Sequence, residues 1–286
     1  MADDYDPRVH VEFTARINTE VMRYSVTVFP SLPDHTIDLS APGSGTCIRI
    51  GGRFFIATAA HVIQHDRAEH FFIGTALKFD GVLNQIGRGT RGGRFSVDDD
   101  IAWIELHPRA AAVAERSWLD VQRIATYVPN EGPQLIVVGG PQEYIVTDHS
   151  GDVPYFHSEV SWWSARSLAH PDDTGGEKDF DRRLYLEWPR SAPDALGNVY
   201  SMPEAPGLSG GGVWTLNSTA PNWQPENIQF VGIEYSQKTS GTPYRLLRAY
   251  KAQEWLRMVA EDLPELAPLI EPVIAAGRHV FSRPQK

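Results

Sequence analysis

The sequence predicts an all-β protein, and three observations carry that prediction. Short runs rich in β-branched and aromatic residues recur along the chain, each bounded by Gly, Pro, Asn or Asp, as strands and their turns are. The 24 glycines and 21 prolines fall mainly between those runs, which suits a barrel or sandwich with many turns. Helical character is confined to two stretches, and no internal repeat or low-complexity tract points to a solenoid.

In chain order the expected strands cover 24–29, 46–50, 54–58, 71–73, 101–106, 135–138, 155–162, 184–188, 212–216 and 230–235. The alanine-rich stretch 109–121 lies between the early and late strands and is expected to be a helix within a linker. Residues 250–263 place Trp255, Met258, Val259 and Leu263 three to four residues apart, so a C-terminal helix is expected to dock its apolar stripe on a barrel. From Arg166 to Arg183 the composition turns to Asp, Gly, His and Lys without apolar periodicity, the mark of a long exposed loop. The tail from Pro264 onward is expected to wrap a barrel. At about 150 residues per domain, a chain of 286 makes two folded units or one bilobed domain.

Composition narrows the function. Hydrophobic residues make up 42% and charged residues 22%, as in an ordinary globular chain, which excludes bulk disorder. The formal charge of −10 lacks the basic field that phosphate backbones attract, so nucleic acid is not expected as a partner. No run of about 18 apolar residues occurs, so no membrane partner is expected either. The opening Met1-Ala2-Asp3-Asp4-Tyr5-Asp6 is acidic where a signal peptide would be basic and then apolar, and a cytoplasmic location is expected. Cys47 is the single cysteine and has no internal disulfide partner, as in a reducing compartment, and a lone cysteine is ordinarily buried apolar filler.

Three short motifs carry chemistry. Gly207-Leu208-Ser209-Gly210-Gly211 sets a hydroxyl on a turn flanked by residues almost without side chains, where a substrate carbonyl can approach main-chain N–H groups. Alone, it reads equally well as a glycine-rich turn. Thr58-Ala59-Ala60-His61-Val62 follows the apolar run Phe54-Phe55-Ile56 and leaves an imidazole accessible among small residues, as a general base must be. His65 and His70, shortly afterwards, have no comparable setting. Asp98-Asp99-Asp100-Ile101-Ala102-Trp103 runs an acidic turn into an apolar strand; Asp100 abuts that strand and suits the orientation of an imidazole, whereas Asp98 and Asp99 read as solvated turn residues. The order is restrictive: histidine, aspartate 39 residues later, serine 109 residues beyond that. It is the His, Asp, Ser order of one serine-hydrolase arrangement and not of two others.

With these motifs on the page, together with Gly43-Ser44-Gly45-Thr46 and Val231-Gly232-Ile233, the chain resembles the trypsin-like serine peptidases of the chymotrypsin fold, in an intracellular, disulfide-free bacterial form. The resemblance spans about residues 20 to 250 and implies two six-stranded antiparallel β-barrels with a cleft between them. The implied divisions are an N-terminal barrel at 1–126 carrying His61 and Asp100, a C-terminal barrel at 127–249 carrying Ser209, and a helix and tail at 250–286. It implies acyl transfer to Ser209, with His61 as base and then acid, Asp100 holding its tautomer, and the N–H groups of Gly207 and Ser209 as an oxyanion hole. The expected partner is a protein or peptide substrate, in a narrow regulatory, stress or defence role.

Two departures bear on mechanism. Digestive trypsins carry Asp just before the nucleophile, to pair with a new N-terminus, and here Leu208 stands there. The oxyanion loop is therefore expected either to be ordered on its own or to be set by a regulatory protein partner. Trypsins also carry Asp six residues before the nucleophile, at the pocket base, and here that residue is Pro203. Glu204, Glu234 and Tyr235 are the remaining candidates for a specificity pocket; an acidic wall would favour Arg or Lys before the scissile bond, and the bland alternative leaves both glutamates in solvent.

No zinc-type Cys/His spacing, His-Glu-x-x-His motif, P-loop or dinucleotide fingerprint occurs, so no cofactor or metal is expected. Asp172-Asp173-Thr174-Gly175 lacks the spaced oxygen ligands of a calcium loop and reads as a surface segment. A binding module that kept the barrels without turnover, and an esterase or transacylase using the same three residues, are the alternatives in function.

Overall fold

The structure, a computed structural model, describes residues 16–17, 19–30, 41–64, 71–74, 84–85, 90–96, 98–114, 116–126, 134–148, 155–158, 161–168, 179–193, 198–204, 206–215, 228–239 and 244–279. Strands dominate, and nearly all pair antiparallel. β1 (Ser25–Pro30), β2 (Gly43–Ile50), β3 (Arg53–Thr58), β4 (Phe71–Gly74), β5 (Asn84–Gln85), β6 (Thr90–Ser96), β7 (Ile101–Leu106) and β8 (Leu119–Asp120) make one sheet. Its order is β5-β4-β1-β2-β3-β7-β6, with β8 added in parallel to β2.

The second half begins with β9 (Gln134–Gly139), β10 (Ile145–Asp148), β11 (Tyr155–Ser158), β12 (Ser161–Ser167) and β13 (Arg183–Pro189). It continues with β14 (Ser191–Pro193), β15 (Val199–Ser201), β16 (Gly212–Thr215), β17 (Gln229–Thr239) and β18 (Tyr244–Lys251). Six of these close a barrel in the order β12-β13-β18-β17-β16-β9, while β10-β11 and β14-β15 stand apart as two-stranded ribbons.

Alternation along the strands builds both cores. Leu135, Val137, Ala165, Leu184, Leu186, Val213, Val231, Leu247 and Ala249, from all six barrel strands, fill the barrel interior. Their neighbours Ile136, Val138, Trp214, Phe230 and Ile233 turn the other way and join the core of the first sheet. Both faces are buried, which is why these strands read as continuous apolar runs rather than as alternating ones.

β7 is also buried along its whole length. The helix Ala252–Asp262 lies against it: Trp255 Nε1 donates to Ala102 O at 2.9 Å, Trp103 Nε1 donates to Asp262 Oδ2 at 2.9 Å, and the Trp255 ring meets Phe55 edge-on. Arg53 braces the same region, with Nε and Nη2 on the two carboxylate oxygens of Glu105 and Nη1 on Glu265. A bidentate arginine pair of this kind satisfies the otherwise buried Glu105.

The structure departs from the sequence expectations in several places. The first sheet has eight described strands with β5 and β6 at its ends, not a ring of six. The 109–121 helix shrinks to Pro108–Val113, capped by His107, because Leu119 is buried and pairs with Ile48, and Trp118 packs edge-on against Phe54, which draws the chain back into the sheet. The strand expected at 155–162 is two strands, β11 and β12, in different sheets. β18 runs through Tyr250, opposite Arg183 and Ile233, to Lys251, so the C-terminal helix begins at Ala252. The tail forms the turn Pro264–Leu266 and a second helix, Ala267–His279, which buries Leu266, Ile270 and Val273. Asp172-Asp173-Thr174-Gly175, His65 and His70, the opening residues and the last seven lie outside the described residues, as does most of 166–183. Among the described residues no helix is long and apolar enough to cross a membrane. Cys47 is fully buried, and burial pushes its thiol up to about 12.

Candidate active site

β3 drives Phe55, Ile56 and Ala57 into the core and ends at Thr58, itself fully buried. One helical turn, Ala60–Ile63, follows; it buries Ala60, Val62 and Ile63 and leaves His61 outward. Asp100 sits where an acidic turn enters β7, with φ of 48°, the single left-handed non-glycine residue among those described. Aspartate tolerates that region better than most residues. The turn brings its carboxylate to His61: the His61 backbone N–H donates to Oδ1 at 3.0 Å, and Nδ1 lies 3.0 and 2.9 Å from Oδ1 and Oδ2. An ionised carboxylate only accepts, so the ring nitrogen facing it, Nδ1, is the one that donates. The imidazole is 47% exposed and the carboxylate 27%.

Asp99 is not a solvated turn residue as the sequence suggested. Its carboxylate bonds Ser96 Oγ and pairs with Arg182 at 2.7 Å, and Arg182 also reaches Glu254 of the C-terminal helix at 3.0 Å. The end of the 166–183 stretch is thereby tied beside Asp100.

Ser209 occupies a turn, 206–210, just before β16. Gly207 and Gly210 both have φ of 89°, and a Cβ on Gly210 would fall 2.0 Å from Ser44 O and 2.3 Å from Thr58 Oγ1. Only glycine fits there. The contact also shows what the turn rests on: Thr58 Oγ1 donates to Ser44 O at 2.7 Å, and Ser44 N–H donates to Ser209 O at 2.7 Å. A chain of two hydrogen bonds thus joins the strand end that carries His61 to the backbone of Ser209.

Every carbonyl of the turn from 206 to 209 has a donor. Pro206 O accepts from Gln142 N–H at 2.8 Å, Gly207 O from Ser44 Oγ at 2.6 Å, Leu208 O from Gly211 N–H at 2.7 Å, and Ser209 O from Ser44 N–H. In a planar trans peptide the N–H points opposite the preceding carbonyl. The holds on Pro206 and Leu208 therefore fix the directions of the Gly207 and Ser209 N–H groups, neither of which has an acceptor among the described residues. Leu208 is fully buried in the barrel core, so apolar contact anchors the turn just before Ser209. Among the described residues no hydrogen bond joins the Ser209 hydroxyl to the His61 ring.

Glu234 lies beneath this arrangement. Its N–H donates to Gly211 O at 2.9 Å and its carbonyl accepts from Gly210 N–H at 2.7 Å. Its carboxyl is fully buried, and no side chain among the described residues hydrogen-bonds either oxygen. Burial first, and then the Asp100 charge, push it well above the usual carboxylate range, against a lowering contact from the Ser236 backbone. Glu204 is exposed and pairs with Arg245 at 2.9 Å. Pro203 is buried, and its carbonyl accepts from Trp188 Nε1 and from Arg245, each at 3.0 Å. Tyr235 stacks on Tyr250 at 4.8 Å, and burial pushes its hydroxyl up to about 12. These four residues therefore do not form a wall of free carboxylates.

Sequence reasoning passed over Ser44, Gln142 and Arg182. Ser44 stood in a quoted motif without a role, and nothing in the local sequence marks Gln142. Among the described residues no cluster of His, Cys, Asp and Glu is arranged to hold a metal ion. No protein-family model matches the chain, and no curated protein matches it in sequence.

Proposed function

We propose that this chain is a serine hydrolase of the trypsin-like kind that cleaves peptide bonds in a protein substrate. The observation that carries the proposal is the pairing of His61 Nδ1 with Asp100 and a Ser209 turn whose Gly207 and Ser209 N–H groups have no acceptor among the described residues. In this reading the first sheet is the counterpart of the N-terminal barrel, and the cleft lies between the two halves.

The reaction runs as acyl transfer. Ser209 Oγ attacks the substrate carbonyl carbon as its proton passes to His61 Nε2, and the Gly207 and Ser209 N–H groups receive the oxyanion. The C–N bond breaks as the amine takes the proton from Nε2. Water, deprotonated by the same nitrogen, then attacks the acyl-enzyme, and Ser209 Oγ leaves with the returned proton. In this reading a Ser209–His61 hydrogen bond forms on substrate binding, since such bonds often close only in the complex.

A fluorophosphonate should label the wild-type chain at Ser209 and leave Ser209→Ala unlabelled. Comparing peptide with simple ester turnover then separates a peptidase from an esterase or transacylase. The Ser209 hydroxyl, which has no hydrogen bond to the His61 ring among the described residues, favours a second reading, a binding module of the same fold, and absent labelling of the folded wild type would favour it over a hydrolase.

A further inference from the structure

We infer that Ser44 is a positioning residue that sets the Ser209 turn from the first sheet, in place of the ion pair that Leu208 rules out. The inference rests on the serine-hydrolase reading of the site. Ser44 is the second residue of β2, 1% exposed, and each of its polar groups is engaged. Its N–H goes to Ser209 O, its carbonyl accepts from Thr58 Oγ1, and its hydroxyl accepts from Gly140 N–H at 2.9 Å.

The direction of the last bond settles the next one. An amide N–H can only donate, so the Ser44 proton is free to go to Gly207 O, 2.6 Å away. Gly140 follows β9, so one hydroxyl links the barrel, the first sheet and the nucleophile turn.

Ser44 thereby holds the carbonyls on either side of Leu208, at Gly207 and Ser209. The peptide between Gly207 and Leu208 lies between the two free N–H groups, and its rotation would turn Gly207, the residue with least steric resistance. The Ser44 hydroxyl opposes that rotation from one side, and the buried Leu208 side chain opposes it from the other. Both holds come from within the chain, so the turn needs no newly cut N-terminus.

The test compares the second-order rate of fluorophosphonate labelling at Ser209 in wild type, Ser44→Ala and Ser44→Thr, with the folded fraction measured by thermal melting. Ser44→Ala should lose about tenfold or more at unchanged folded fraction, and Ser44→Thr, which restores a hydroxyl, should return to within about threefold of wild type. If the alanine variant does not fold, Ser44→Cys, of similar shape but a weak donor, should show the same loss. Equal rates in the alanine variant and wild type, or a loss that threonine leaves unrepaired, overturn the role of Ser44 while the hydrolase stands. No Ser209-dependent labelling of wild type overturns both.

Discussion

At the residue scale, two acids share one small region and play opposite parts. Asp100 meets the backbone N–H and the ring of His61 with its carboxylate, whereas Glu234 is fully buried and no side chain among the described residues hydrogen-bonds its carboxyl. Asp100→Asn keeps the shape but presents an amide where Nδ1–H needs an acceptor, so labelling at Ser209 should fall about ten-thousandfold with the fold intact. A rate within tenfold of wild type would remove Asp100 from the proposed machinery. For Glu234 the measurable quantity is stability against pH. Its carboxyl is raised in the folded state, so its contribution is fully present below the ordinary carboxylate range and is lost as pH rises through the folded value. Glu234→Gln, neutral throughout, should therefore gain on wild type in thermal melts as pH rises above the ordinary carboxylate range, with least advantage at the acid end. The opposite trend would mean that the native carboxyl is ionised and paired.

At the element scale, β7 depends on the helix Ala252–Asp262 for its outer cover, and Trp255 is the chief contact. Trp255→Ala should cost about 3–5 kcal/mol in urea unfolding, the usual range for a large buried aromatic. A cost below about 1 kcal/mol would mean that the helix is not fastened there. Most strands were legible in the sequence because runs such as Ile101–Leu106 are apolar on both faces and end at Gly, Pro or Asp. The alanine stretch misled because alanine favours a helix without saying where it stops, and the stop came from Trp118 and Leu119, whose partners Phe54 and Ile48 are far away in sequence. The turns carrying His61, Asp100 and Ser209 were legible as strand-end motifs. The hold of Ser44 on Ser209, 165 residues further on, was not, since no local rule relates a β2 hydroxyl to a later carbonyl.

At the scale of the whole molecule, one core runs from the first sheet through β9, β16 and β17 to the two C-terminal helices. A nucleophile turn held by Ser44, Gln142 and Leu208 is expected to be formed in the intact chain. Fluorophosphonate labelling of intact protein should therefore match labelling after limited proteolysis, within about twofold on a scale where one lost oxyanion donor costs a hundredfold or more. Labelling that appears only after N-terminal trimming would show that cleavage builds the site. Of the two carboxylates that the sequence offered for an acidic pocket, Glu234 is fully buried and Glu204 pairs with Arg245.

The helix that covers β7 follows the last barrel strand, although the strand it protects is made in the first half. On the ribosome, the segment leading away from Asp100 waits with one greasy side bare until residues 252–262 emerge. In the proposed hydrolase, the Asp100 side of the site would thereby gain its support only after residues 252–262 have been made.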